Sequence, residues 1–174
     1  MKKFTIGMIF TLLIFFVGSA FANMNPTRST SGNWYTQTIV DDMDDSIMTL
    51  AFTLTDDYDD LFTGAILVAR CDDNELDIAI KYMGELFLDS VPLKAEVRFG
   101  KGSIEDIGKW GRSTSGTSIM SFKSQNKKLM KNFINEDQFV IRIHPAYGSS
   151  VTTKFNTTGS DELYTVLRAC NIEL

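Results

Sequence analysis

Apolar residues recur at every second position along most of this chain, the period of strands that bury one face. Met48, Leu50, Phe52 and Leu54 alternate with Thr49, Ala51 and Thr53. Leu76, Ile78 and Ile80 alternate with Asp77, Ala79 and Lys81, and Ala95, Val97 and Phe99 with Lys94, Glu96 and Arg98. Phe139, Ile141 and Ile143 do the same against Val140, Arg142 and His144, and Val151, Thr153 and Phe155 follow. Residues 65–71 are apolar except for Arg70, which predicts a central strand. Asp72, Asp73 and Asn74 come next, residues that tolerate left-handed backbone, so residues 65–81 are predicted to form a hairpin.

Two segments change to helical spacing. Phe122, Leu129, Met130 and Phe133 fall on one side of a helix, with Lys127, Lys128 and Lys131 around the rest. Leu163, Val166, Leu167 and Cys170 fall at i, i+3, i+4 and i+7. Ser160 or Thr158 can cap that second helix, Asp161 and Glu162 suit its positive first turn, and Arg168 its negative end. About seven strands and two helices predict an α+β, β-rich fold: an antiparallel sandwich or a strongly curved sheet.

The N-terminus has the three-part plan of a secretory signal. Lys2 and Lys3 are followed by the uncharged apolar residues 4–17, then by Ala20 and Ala22 at the positions that a signal peptidase reads. The apolar stretch is short of the ~20 residues that span a bilayer. Residues 1–22 are therefore expected to be a cleaved signal peptide, 23–33 a polar leader and 34–174 a single domain, located in the periplasm or outside the cell. Cys71 and Cys170 are the two cysteines, and export into an oxidising compartment makes pairing the expectation. The alternative is two buried free thiols. A zinc site would need four ligands, and His144 alone cannot complete one.

After residue 22 the chain carries fifteen Lys and Arg against twenty-two Asp and Glu, a net charge of −7. That balance argues against nucleic acid and against an anionic membrane surface. The sequence shows no nucleophile elbow, phosphate-binding loop or zinc-protease motif, and His144 is the one candidate base. It ends an alternating strand out of phase with Ile141 and Ile143, so an exposed or edge position is expected. Neither a catalytic set nor a cofactor is predicted. Carboxylates cluster at Asp41, Asp42, Asp44 and Asp45, at Asp56, Asp57, Asp59 and Asp60, and at Asp72, Asp73 and Glu75. The second cluster is the best candidate for calcium, with a solvated acidic turn as the plainer reading. Arg70, Arg98 and Arg142 are candidates for one polar row on a sheet face. Residues 100–121 lack a strong period and read as a long loop. Trp110 and Arg112 within it, among Gly and Ser, are the candidate contacts for a protein partner in the envelope. In the alternative, Trp110 fills the core.

Several of these pieces recur in one order. Trp34 comes first, then Asp41-Asp42-Met43-Asp44-Asp45-Ser46, then Leu67-Val68-Ala69-Arg70-Cys71 with its hairpin. Val97-Arg98-Phe99, Trp110 with Ser113, and Phe122 follow, and Phe155, Gly159, Leu167 and Ala169-Cys170 close the series. This order resembles the VasI/TagO-like exported proteins associated with type VI secretion. It departs from that pattern at Gly100, where an acidic residue is usual. The resemblance implies an accessory factor of the cell envelope with no established catalytic residues. Two function classes follow: a non-enzymatic binding or accessory protein, and, as the alternative, a small secreted hydrolase that attacks an envelope polymer with carboxylates.

Overall fold

The computed structural model describes residues 27–28, 32–40, 44–56, 64–84, 93–113, 116–145 and 148–174. The expected signal peptide, most of the leader, Asp41, Asp42 and the calcium candidates Asp57, Asp59 and Asp60 lie outside the described residues. The strands are β1 (Thr27–Arg28), β2 (Tyr35–Val40), β3 (Ile47–Leu54), β4 (Ala65–Asp72) and β5 (Glu75–Tyr82). They continue with β6 (Leu93–Phe99), β7 (Glu105–Arg112), β8 (Ser118–Met120), β9 (Gln138–His144) and β10 (Val151–Asn156). Helix α1 (Lys123–Asn135) precedes β9, and helix α2 (Asp161–Ala169) follows β10. The strands form one sheet in the order β1-β2-β3-β4-β5-β8-β7-β6-β9-β10, with antiparallel pairing throughout.

The predicted class is therefore correct, and the strongly curved sheet is the form it takes. The sheet does not close, but strands far apart in this order approach each other around one core. Thr53 Oγ1 of β3 donates to the Asn156 carbonyl at the end of β10 at 3.3 Å. Thr153 Oγ1 of β10 donates to the Tyr82 hydroxyl of β5 at 3.2 Å. Trp34 Nε1 donates to the Thr157 carbonyl at 3.1 Å. One local source of bending is a bulge where β6 meets β7: Ala95 pairs with Gly108 but Glu96 with Asp106, so β7 carries an extra residue. Such an insertion bends its strand and raises the local twist. Gly108 has φ +83°, a conformation natural to glycine, and its N–H donates to Asp106 Oδ1 at 2.8 Å.

The alternation explains what goes inside. Leu67, Ala69 and Cys71 of β4 join Ile78, Ile80, Val97, Ile141 and Phe155 in the main core. Phe139 sits 4.9 Å, edge-on, from Phe133 of α1 and 5.2 Å, stacked, from Phe99. Ile66 and Val68, the opposite phase of β4, pack with Ile39, Met48, Leu50 and Phe52 in a second cluster. That is why β4 reads as an unbroken apolar run: both of its faces are buried. Each such side chain contributes roughly 1.5–3 kcal/mol on burial. The Asp73-Asn74 turn joins β4 to β5 with φ of 49° and 62°, the doubly left-handed turn whose twist matches the strands it links.

The helices are located as predicted, but two details differ. Phe122 stands at the N-cap of α1 and is exposed, not on its buried face. The buried face holds Asn126, Leu129, Met130 and Phe133. Asn126 is tolerated there because its Nδ2 donates to the Leu76 carbonyl at 2.5 Å, tying the helix to β5. Ser160 stands at the N-cap of α2, but its hydroxyl donates to the Ile134 carbonyl at 3.1 Å instead of capping its own helix. The two helix ends are thereby joined. Leu163, Val166 and Leu167 bury the inner face of α2, as their spacing predicts.

Cys170, just past α2, is bonded to Cys71 of β4, with their Cα atoms 5.5 Å apart. The link closes a loop of sequence separation 99 and pins the last helix to a central strand. By the chain-entropy argument, closing so long a loop removes unfolded-state freedom worth about 4–5 kcal/mol. The Cys71→Ala/Cys170→Ala double variant should lose stability of that order in urea unfolding, and reductant should then have no further effect on it. Tyr82 supplies a second expectation. Burial pushes its hydroxyl up to about 12, with the Thr153 hydrogen bond opposing the shift. The folded state thus keeps a proton that the unfolded state begins to lose near pH 10. Stability should fall as pH rises from about 10 to 12, by on the order of 2–3 kcal/mol. A Tyr82→Phe variant followed by alkaline melts should show a shallower fall.

Candidate functional site

The outward phase of β6, β9 and β10 gathers the densest polar network among the described residues. In register, Glu96 faces Arg142, which faces Thr152; Arg98 faces Val140, which faces Lys154; Lys94 faces His144. These are the residues that alternate with the buried Ala95, Val97, Ile141, Ile143, Thr153 and Phe155. Strand periodicity therefore places them on one surface without further instruction.

Glu96 is the hub. Its Oε2 lies 3.1 Å from His144 Nε2 and 3.8 Å from Arg142, and its Oε1 lies 3.9 Å from Lys94 Nζ. Lys94 also reaches Asp106 at 3.3 Å. The Asp106 carboxyl is held below the usual carboxylate range, first by the Gly108 N–H and then by Lys94. Arg142 Nε donates to Thr152 Oγ1 at 3.2 Å, which fixes the guanidinium plane. Between these side chains lies a cleft of about 150 Å³ lined by Glu96, Val97, Arg98, Ile104, Val140, Arg142 and Thr152.

His144 ends β9, which lies between β6 and β10, and its side chain is 32% exposed. It is a half-buried histidine on an interior strand, where an exposed or edge residue was expected. Its Nδ1 is 2.9 Å from the Ser150 hydroxyl. Ser150, His144 and Glu96 have the residue types of a nucleophilic relay, but not its electrostatics. The acid of such a relay serves one imidazole through a directed hydrogen bond. Here Glu96 is shared among Lys94, Arg142 and His144, and His144 Nε2 approaches it without hydrogen-bond alignment. The network orients Arg142 and holds the surface in shape.

The structure moves the predicted partner contacts. Residues 100–121 are not a long loop: half of them form β7 and β8. Trp110 is 0% exposed in the main core, so it is not a surface anchor, and the core alternative is the correct one. Trp34 is equally buried. Arg112 is half-buried at the end of β7, in register with Ile119 of β8. The signal for β7 is weak because the strand fully buries Trp110 alone, leaving no alternation to read. The arginine row is also divided. Arg98 and Arg142 share one face, whereas Arg70 pairs with Asp77 across β4 and β5 at 3.2 Å.

The acidic clusters that fall in the described region serve turns and tethers. Asp44 Oδ1 accepts the Ser46 N–H at 2.9 Å, and its carboxyl is held low by Ser46. Glu75 pairs with Lys123 at the start of α1 at 2.5 Å. Among the described residues, no group of three or more His, Cys, Asp or Glu is placed to hold a metal ion.

Charge is sorted along the chain, a feature that net charge conceals. Residues 23–92 carry three Lys and Arg against fourteen Asp and Glu; residues 93–156 carry eleven against five. The outward cleft lies wholly within this basic stretch. Counting charge by segment exposes the asymmetry from sequence alone.

These features define a β-rich α+β protein: one curved antiparallel sheet, two helices, a disulfide between the last helix and a central strand, and a charged cleft on the sheet's outer face. No protein-family model matches the chain, and no curated protein matches it. Among solved structures it is similar to invasion associated protein B from Bartonella henselae, with a TM-score of 0.50 and 10% identity. The match covers 87% of this chain and 100% of that one. At that identity the likeness is one of fold.

The placement of the tryptophans is testable. Trp110→Ala should cost roughly 3–5 kcal/mol of stability, as a large-to-small change in a packed core does. Trp34→Phe should cost more than Trp110→Phe. The first strands the Thr157 carbonyl, whereas Trp110 Nε1 has no acceptor among the described residues to lose. Urea unfolding of the three variants checks both statements.

Proposed function

We propose that the mature chain is a non-enzymatic binding or accessory protein of the bacterial cell envelope, acting in the periplasm or outside the cell. The observation that carries the reading is the Cys71–Cys170 disulfide. Such bonds persist in oxidising compartments, which agrees with the Lys2-Lys3, apolar and Ala20/Ala22 pattern at the N-terminus. No described helix is long and apolar enough to cross a membrane.

The binding part of the reading rests on the outer face. Lys94, Glu96, Asp106, Arg142 and His144 lie against one another there, so Glu96 and His144 serve as scaffold for Arg142 instead of as acid and base. The resemblance to VasI/TagO-like proteins supports a finer reading, an accessory factor associated with type VI secretion whose partner is an envelope protein. Loops and sheet faces held by a disulfide-tied core suit such a role, because a rigid surface loses little entropy on binding.

Intact-mass analysis of protein recovered from the periplasm or medium should give a chain that begins at Asn23 and carries no alkylatable thiol before reduction. Incubated with peptidoglycan, that protein should release no soluble fragments. Release that disappears in Glu96→Gln would replace this reading with the carboxylate hydrolase.

A further inference from the structure

We propose that the outward cleft of β6, β9 and β10 is a binding site for a phosphate group, held by Arg98 and Arg142 of its lining with Thr152 beside them, and by Lys154 from the position opposite Val140 on β10. Register places Arg98 and Lys154 on either side of Val140, about 10 Å apart across three strands, with Arg142 about 7 Å along β9. Their cationic ends can therefore converge over Val140, which separates Arg98 from Lys154. Arg142 is pre-oriented by Thr152 and Glu96. Arg98 and Lys154 are exposed and make no hydrogen bond or ion pair among the described residues.

Charge selects the ligand. Lys94 pairs with Asp106, so around the cleft Arg98, Arg142 and Lys154 stand against Glu96, which leaves two positive charges uncompensated with His144 neutral. A phosphate monoester carries about −1.5 to −2 at neutral pH and three acceptor oxygens, so it matches that excess, whereas a single carboxylate meets half of it. Guanidinium forks suit such an oxyanion because two N–H groups donate in parallel. Ile104 (60% exposed) and the half-buried Val140 offer an apolar rim for the group that bears the phosphate. The overall charge of −7 argues against anionic partners only when it is averaged over the molecule, and this face has the opposite sign.

Phosphate can be presented by a sugar or by a lipid headgroup, and the test separates them. The full mature protein is titrated calorimetrically with glucose 6-phosphate, and by co-sedimentation with vesicles of phosphatidylcholine alone or with phosphatidic acid. Arg98→Gln/Lys154→Gln is compared with Lys127→Gln/Lys131→Gln, which removes the same charge from the exposed side of α1. The cleft variant should lose affinity by about tenfold or more, as loss of charge-assisted hydrogen bonds entails, while the α1 variant stays within about twofold. Binding of both probes supports a headgroup-tolerant site, and binding of glucose 6-phosphate alone supports a sugar phosphate; vesicle binding alone, lost in the cleft variant, supports a lipid phosphate. Equal losses in the two variants, or no binding of either probe, would overturn the site. So would a salt-sensitive dimer that the cleft variant abolishes without any phosphate binding, since the acidic half of a second copy would then fill the cleft. The export and peptidoglycan measurements are independent of these outcomes, so failure here leaves the envelope reading to its own test.

Discussion

A long antiparallel sheet with apolar side chains on one face must hide that face, and this one does so by curving around one core without closing. Much else depends on that curvature. It brings β10 within hydrogen-bonding reach of β3 and β5, through Thr53 with Asn156 and Thr153 with Tyr82. It encloses Trp34, Trp110, Phe139 and Phe155 in one core with α1 and α2. The bulge opposite Ala95 and Glu96 is one place where the bend enters the backbone. Without curvature the inner face would stay wet, and neither helix would have a concave surface to fill.

The disulfide secures the core from the C-terminal side. α2 is nine residues long, too short to persist alone in water. Its apolar face and the Cys71–Cys170 bond together fix it against the sheet. The contact between the helix ends, Ser160 to the Ile134 carbonyl, couples α1 to the same unit. What holds the fold is thus mostly long-range in sequence, which gives the outer strands a firm base.

The outer face follows from the same geometry. Each inward residue of β6, β9 and β10 obliges its neighbours to point out, so the charged phase of β6 and that of the later β9–β10 pair become one surface. Ion pairs on such a face add little to stability, because water screens them and the side chains lose freedom. Their effect here is positional: Glu96 and Thr152 hold Arg142 in place. The unbalanced cations beside it give the face a sign opposite to that of the acidic first half.

Sequence alone determined the strand periods, the β4–β5 hairpin and its left-handed turn, the inward face of α2 and, Phe122 and Asn126 apart, that of α1, and the two cysteines available for pairing. These are local patterns, set by a repeat of two or 3.6 residues and by side chains that favour particular backbone angles. It did not reveal β7, because a strand that fully buries only Trp110 has no alternation to read. For the same reason Trp110 looked like a loop residue on the surface. Nor did it join Glu96, Arg98, Arg142, Thr152 and Lys154, which lie on three strands whose neighbours are chosen by the curved sheet. Tertiary structure decided those matters, since strand order and curvature arise from burying the whole inner face at once, and no short window of residues encodes that sum.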